Sequence, residues 1–331
     1  MIDEQTSLRR TLRSCLLIAA LASLPGLSAR ADELGEQVAR FDSRELVDVH
    51  WLDTESSRPE LQVLVPGPHA DAPGLYRVTS DTAGRASLVR LCALAGRAHL
   101  SFDRHHLLAL SLEQTRPRLE VRDLSTCQVK LSIPVQHKTF DFDATSHHVV
   151  AASRSEDGAT ELRLFDAHGR LERVLRTDRN IELGFDLDGW VLHNFDRVAA
   201  SPRAFGVPDL RPRPDAALSE AETAIPGSRW RWVRAGEQSH LRDVAAQLHA
   251  LPPAVWLDHP LAMSRNARFL LTYHHDGSIG RLRKVDLSNG QVIEVTRGSI
   301  DSASVNATGS LIAWIKREGD DRVSLWRNRR P

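Results

Sequence analysis

The 331-residue chain is poor in the residues that usually announce a chemistry. It has three cysteines, two tyrosines, two methionines and only four lysines, at 130, 138, 284 and 316. No CxxC, CxxCH or His-Cys cluster occurs, which argues against zinc ribbons, c-type haem and thioredoxin-like redox chemistry. A glycine-rich phosphate loop, a GxSxG elbow, an HExxH pair and an EF-hand loop are all missing. Asp186-Leu187-Asp188-Gly189 opens like a calcium loop, but no Glu twelve positions along completes it. The formal charge is zero, with 43 basic against 43 acidic residues. That balance argues against a general nucleic-acid binder, whose affinity comes from neutralising phosphates. Beyond the N-terminus no run approaches the length of apolar sequence that crosses a membrane as a helix.

What is present is an ordinary globular composition, 41% hydrophobic and 26% charged, preceded by an export signal. Arg9, Arg10 and Arg13 form a positive n-region, and a short apolar run covers 16–24. Pro25-Gly26 then leads to Ala29-Arg30-Ala31, a small-x-small cleavage site. Residues 1–31 are thus expected to be a signal peptide and 32–331 a single mature domain in the periplasm or outside the cell. Ordinary export is favoured over twin-arginine transport, because Leu8 and Arg13 depart from the pattern around the Arg9-Arg10 pair.

The mature sequence repeats itself. Segments beginning at Phe102, Phe142 and Met263 each read as a polar turn, an apolar strand, a second polar turn, an alternating strand ending in Asp, a tight turn and another strand. Asp103, Asp143 and Ser264 open the first turn, and Asp123, Asp166 and Asp286 follow 20, 23 and 22 residues later. Those aspartates begin hairpin turns, where Asp, Asn, Ser and Gly cap the backbone or accept positive φ. Further copies start at Asp186 and Asn306, and the steps from 103 to 143, 143 to 186 and 264 to 306 are 40, 43 and 42 residues. A four-stranded unit at that period is the mark of a β-propeller blade. Four more β-rich stretches lie at 45–52, 60–66, 74–80 and 86–92. The chain ends on the third strand of its last blade, at 322–326. A strand over 36–41 is expected to complete that blade and close the ring, since an open seam would expose strand edges.

The repeat resembles the WD40-like propellers of the bacterial periplasm, such as that of the Tol system, over 45–195 and 260–331. The Ser-Pro-Asp-Gly turn of that group stands here as Ser264-Arg265-Asn266-Ala267, Asn306-Ala307-Thr308-Gly309 and Asp186-Leu187-Asp188-Gly189. The fold expected is therefore all-β, with seven four-stranded blades favoured over six blades and an insertion.

The interval around 196–260 breaks the repeat. Pro202, Pro208, Pro212, Pro214 and Pro226 argue against central strands over 198–228. A helix is expected over 239–251, with Ser239 as N-cap and Leu241, Val244, Ala245, Leu248 and Leu251 on one face. Trp230 and Trp232 alternate with Arg229, Arg231 and Arg234, so both rings share one face of a strand. They are either interface anchors or core residues with solvated arginines between them. Cys92 ends one outer strand and Cys127 begins the next. Antiparallel order sets those positions near opposite rims, so two buried thiols are expected before a disulfide.

The histidine pairs His105-His106, His147-His148 and His274-His275 invite a metal reading, but adjacent strand residues face opposite ways, and no metal or other cofactor is expected. The function favoured is a non-enzymatic scaffold or accessory subunit docking a periplasmic or membrane-associated protein, with Arg229, Trp230, Arg231 and Trp232 as contact residues. The alternative is a propeller hydrolase, lactonase or dehydrogenase subunit using channel residues such as His50, Asp103, Asp143 and Asp186, or a binder of sugar or cell-wall fragments.

Overall fold

A computed structural model of the chain describes residues 35–328, except 54–58, 68–71, 82–84, 95, 112–115, 178–180, 195–203, 215–217, 220, 244–246 and 278. The expected signal peptide, the helix residues Val244 and Ala245, and Pro202 lie outside the described residues.

Strand order follows burial. The second strand of a blade packs against the adjacent blade on each face, so His148–Arg154 is buried almost throughout and reads as a continuous apolar run. The third strand, Thr160–Asp166, alternates buried and half-buried positions. The outermost, Leu171–Thr177, is mostly exposed. Together with the innermost Thr139–Ala144, these make one antiparallel four-stranded sheet.

Seven such sheets form the ring. Blades 1 to 3 occupy 48–93, 97–134 and 139–177, and blades 4 to 6 occupy 183–206, 222–250 and 259–297. Blade 4 has three paired strands among the described residues, and an isolated bridge from Phe205 to Pro212 marks its outer edge. Blade 7 joins both ends of the chain: Gly35–Asp42 pairs antiparallel with Arg322–Asn328, so the N-terminal strand closes the ring as the open seam requires. Six apolar clusters fill spaces between adjacent blades. Among the described residues no helix is long and apolar enough to cross a membrane.

Three local expectations are corrected. The prolines of the irregular segment bracket short strands instead of excluding them: Ala204–Gly206 lies in blade 4 and Glu222–Ala224 is the inner strand of blade 5. The helix over 239–251 is replaced by the strands Gln238–Arg242 and Leu248–Ala250. Ser239 and Leu241 are fully buried while His240 and Arg242 are half-buried, a period of two, and Leu248 is 60% exposed. Pairing of Gln238–Arg242 with Arg231–Ala235 overrides the helical spacing, and the Ser239 hydroxyl donates to Trp256 O at 2.6 Å instead of capping a helix.

The third correction is that Cys92 and Cys127 form a disulfide across blades 1 and 2, with Cα atoms 6.0 Å apart. The rim argument treats strands as upright, whereas each sheet twists from inner to outer strand and carries its outer turn across the neighbouring blade. The turn after Arg118–Asp123 is drawn onto blade 1: Gln62 Nε2 donates to Leu124 O at 2.8 Å, and Arg77 donates to Ser125 O at 2.9 Å. Replacing both cysteines with serine opens a loop of 35 residues and should lower stability by about 3–4 kcal/mol on the chain-entropy argument. Chemical denaturation of the oxidised protein beside the double variant measures this, and equal midpoints would contradict the bridge.

Candidate functional site

The turns joining the first and second strands of the blades line one end of the channel. Local side chains shape them as the repeat implies. Asp103 Oδ1 accepts from His105 N at 2.9 Å, Asp186 Oδ1 from Trp190 N at 2.9 Å, and Asn306 Oδ1 from Leu311 N at 2.9 Å. Asp143 is an exception to its expected role, because Thr145 Oγ1 caps its turn, accepting from His148 N at 3.2 Å.

Asp143 instead joins three blades. Its Oδ1 accepts from Phe102 N of blade 2 at 3.1 Å, and its Oδ2 from Phe185 N of blade 4 at 2.7 Å. Burial pushes its carboxyl up to about 7, against the pull of those N–H donors. Asp141 makes a similar link, accepting from Leu183 N at 2.6 Å. Asp48 bonds to Ser302 and Arg104. Burial would raise its pKa, but the Arg104 guanidinium and the Ser302 hydroxyl hold it below the usual range. The carboxylates that an enzyme would use are thus engaged in turn capping and blade-to-blade bonds.

On this face the channel is crossed. Gly227 N, in the turn of blade 5, donates to Phe102 O in the turn of blade 2 at 2.8 Å. These blades stand opposite each other in the ring. Gly227 has φ +67°, and a Cβ there would stand 3.1 Å from Arg104 Cγ, so both the turn and the crossing favour glycine.

A cavity of about 500 Å³ is lined mainly by blades 1, 5, 6 and 7, with Asp103, Arg104 and His105 of blade 2 and Leu187 of blade 4 at its edge. Met263, Leu261, Pro226 and Trp230 contribute apolar lining, and Arg104, Arg229, Arg265, His50 and His105 contribute polar groups. Arg229 pairs with Asp188 at 2.7 Å, and Arg265 is exposed with no ion partner among the described residues. The second cavity, about 700 Å³, lies on the side of blades 2 to 4 and is lined in part by Trp190, His147 and Asp188.

Of the four residues singled out in the irregular segment, Arg229 and Trp230 reach the first cavity. Trp232 is 2% exposed in the core between blades 5 and 6, and Arg231 is half-buried on the same strand. Trp230 is partly buried against that core and meets the His249 ring edge-on at 4.9 Å. Sequence reasoning missed Arg265 and Trp190. Arg265 sits in a degraded turn motif and Trp190 directly follows one, and that position in the repeat was the signal available.

Two of the histidine pairs stay together: His105 and His106 line one cavity, and His147 and His148 both meet the Trp190 ring. His106 lies 3.7 Å from Asp103, His148 lies 3.5 Å from Glu172, and His274 lies 3.3 Å from Asp258 on the opposite side of its blade. Among the described residues no three His, Cys, Asp or Glu side chains gather to hold a metal ion.

No family model matches the chain, and no curated protein matches it in sequence. Among solved structures, an oligogalacturonate lyase from Vibrio parahaemolyticus is similar with a TM-score of 0.55 at 9% identity, over 88% of this chain and 98% of that one. An oligogalacturonate lyase in complex with manganese gives 0.52 at 12% identity, over 90% of this chain and 98% of that one. TolB from Acinetobacter baumannii is 17% identical with a TM-score of 0.36, over 86% of this chain, which spans 63% of TolB.

Burial, followed by the nearby Arg104 charge, lowers His50 to about 3, and burial lowers His99 to about 4. The unfolded chain takes up these protons near 6.5, so stability held by the two neutral rings is present above that pH and lost as pH falls toward 4 and then 3. Ring resonances of both should remain those of neutral imidazole at pH 5, and His50→Gln should flatten the acid loss of stability. A midpoint near 6.5 for either ring would contradict the buried placement. The geometry and the comparisons agree on the fold: the chain is a seven-bladed β-propeller.

Proposed function

We propose that this chain is an exported, non-enzymatic propeller that docks another periplasmic or membrane-associated protein over the first cavity. The observation that carries the reading is the composition of that mouth. Trp230 and the nearly buried Met263 line it beside Arg229 and Arg265, which has no ion partner among the described residues, and Met, Trp and Arg are enriched where proteins bind proteins. A ring of short turns on a rigid scaffold can present such a patch without ordering it at the moment of binding.

Two further observations favour the reading. The Cys92–Cys127 disulfide suits an oxidising compartment, in keeping with the export signal read over 1–31. The acidic candidates for channel catalysis already accept hydrogen bonds from turns and neighbouring blades, which ties them to the scaffold.

The test is crosslinking and affinity capture of the mature protein from its native periplasm, beside Arg229→Glu/Arg265→Glu. The double variant keeps every core residue and loses the exposed Arg229–Asp188 pair, worth at most about 1 kcal/mol, so a thermal scan should find it folded with only a small drop in melting temperature. Expected is a specific partner on the wild type, reduced at least about tenfold on the variant, the scale of a modest interface anchor. Equal capture by both proteins, or no specific partner on the wild type, would overturn the docking site.

A further inference from the structure

The second cavity differs in chemistry from the first. Trp190 is 55% exposed and is the one aromatic residue among the strongly exposed large apolar side chains of the described residues. It is also rigidly placed. Asp186 Oδ1 accepts from Trp190 N at 2.9 Å, and Trp190 O accepts from Val207 N at 2.9 Å. Gly189 precedes it at φ +74°, where a Cβ would stand 3.0 Å from Thr145 Oγ1. The indole stacks on His147 with ring centroids 6.2 Å apart and meets His148 edge-on at 6.0 Å.

Apart from Trp190 and Leu187, the lining side chains of this cavity are polar. Ser146 and His147 are exposed and make no side-chain hydrogen bond among the described residues, so a hydroxyl and an imidazole stand open beside the indole. The charged groups are engaged. Lys130 pairs with Asp123 at 2.8 Å, Asp188 pairs with Arg229 at 2.7 Å, and Asp103 caps its own turn. A ligand for this wall needs one flat apolar face for the indole and many neutral donors and acceptors, and it needs no charge. A pyranose ring has axial C–H groups on one face and hydroxyls around its edge.

We infer that the second cavity binds a neutral pyranose unit of an oligosaccharide, with Trp190 as its stacking platform. The ring lies against the exposed indole inside the cavity, and its hydroxyls exchange hydrogen bonds with Ser146 and His147 of the cavity wall. The two cavities adjoin, sharing Asp103, His105 and Leu187, but Trp190, Ser146 and His147 line only the second and Arg265 only the first.

Calorimetry of the mature protein with neutral tetrasaccharides of glucose and of N-acetylglucosamine tests this, with an acidic tetrasaccharide as the charged comparison. Expected is binding of at least one neutral sugar, weakened about tenfold or more by Trp190→Ala, less by Trp190→Phe, and unchanged by Arg265→Glu at the other cavity. Trp190 is exposed, so its variants should keep the wild-type melting temperature, which a thermal scan checks. No heat from either neutral sugar at millimolar concentration, binding untouched by Trp190→Ala, or tighter binding of the acidic sugar would each overturn the inference.

Discussion

Every blade of this ring ends inward on a strand edge, and a strand edge left bare is a row of unpaired backbone groups. The protein meets that constraint with side chains from the next blade. Ser302 and Ser304 accept from Val49 N and Trp51 N at 3.3 and 3.1 Å, joining blade 7 to blade 1. Asp141 and Asp143 do the same for blades 2, 3 and 4. Such bonds contribute about 1 kcal/mol each when neutral and about 1.5–3 kcal/mol when charged. Their greater importance is geometric, because they fix each inner strand against the next and so set the width of the channel.

That use of the channel explains why its polar residues look like a site and are placed like a scaffold. His50 stands next to the Asp48–Arg104 pair, and burial among these groups keeps its ring neutral. The groups left open to a partner are displaced to the inner-turn face. There the ring is knitted by Asn266 N to Ala307 O at 3.3 Å, Ala307 N to Asp53 at 3.3 Å and Arg229 to Asp188 at 2.7 Å. Two mouths with different linings therefore sit on one rigid surface, one with Met263 and Arg265, the other with Trp190 and Ser146.

The architecture was legible in the sequence because the same physical demands recur in each blade. Asp123 accepts from Thr126 N at 3.0 Å, Asp166 from His168 N at 2.8 Å and Asp286 from Ser288 N at 3.0 Å, three copies of one turn visible as three regularly spaced aspartates. The closing strand was legible for a similar reason: three strands at the end of the chain require a fourth from the beginning. What escaped depends on neighbours distant in sequence. Leu241 and Leu251 fit a helical stripe equally well until Arg231–Ala235 pairs with the first of them. Asp143 shares the register of the turn aspartates yet points to two other blades. Cys127 reaches Cys92 only because the twist of blade 2 carries its outer turn over blade 1. The candidate site was half legible, since Arg229 and Trp230 reach the mouth while Trp232, two residues on, is core.

The central claim is that the inner-turn face, and not the opposite face, meets the partner. Site-specific photo-crosslinking in the native periplasm tests it, with the probe placed at Arg265 in one protein and at Leu257 in another. Leu257 is an exposed position in the connection leading into the inner strand His259–Met263, at the opposite end of the blade. The account predicts a discrete adduct from position 265 and none from 257. An adduct from 257 with none from 265 would contradict it.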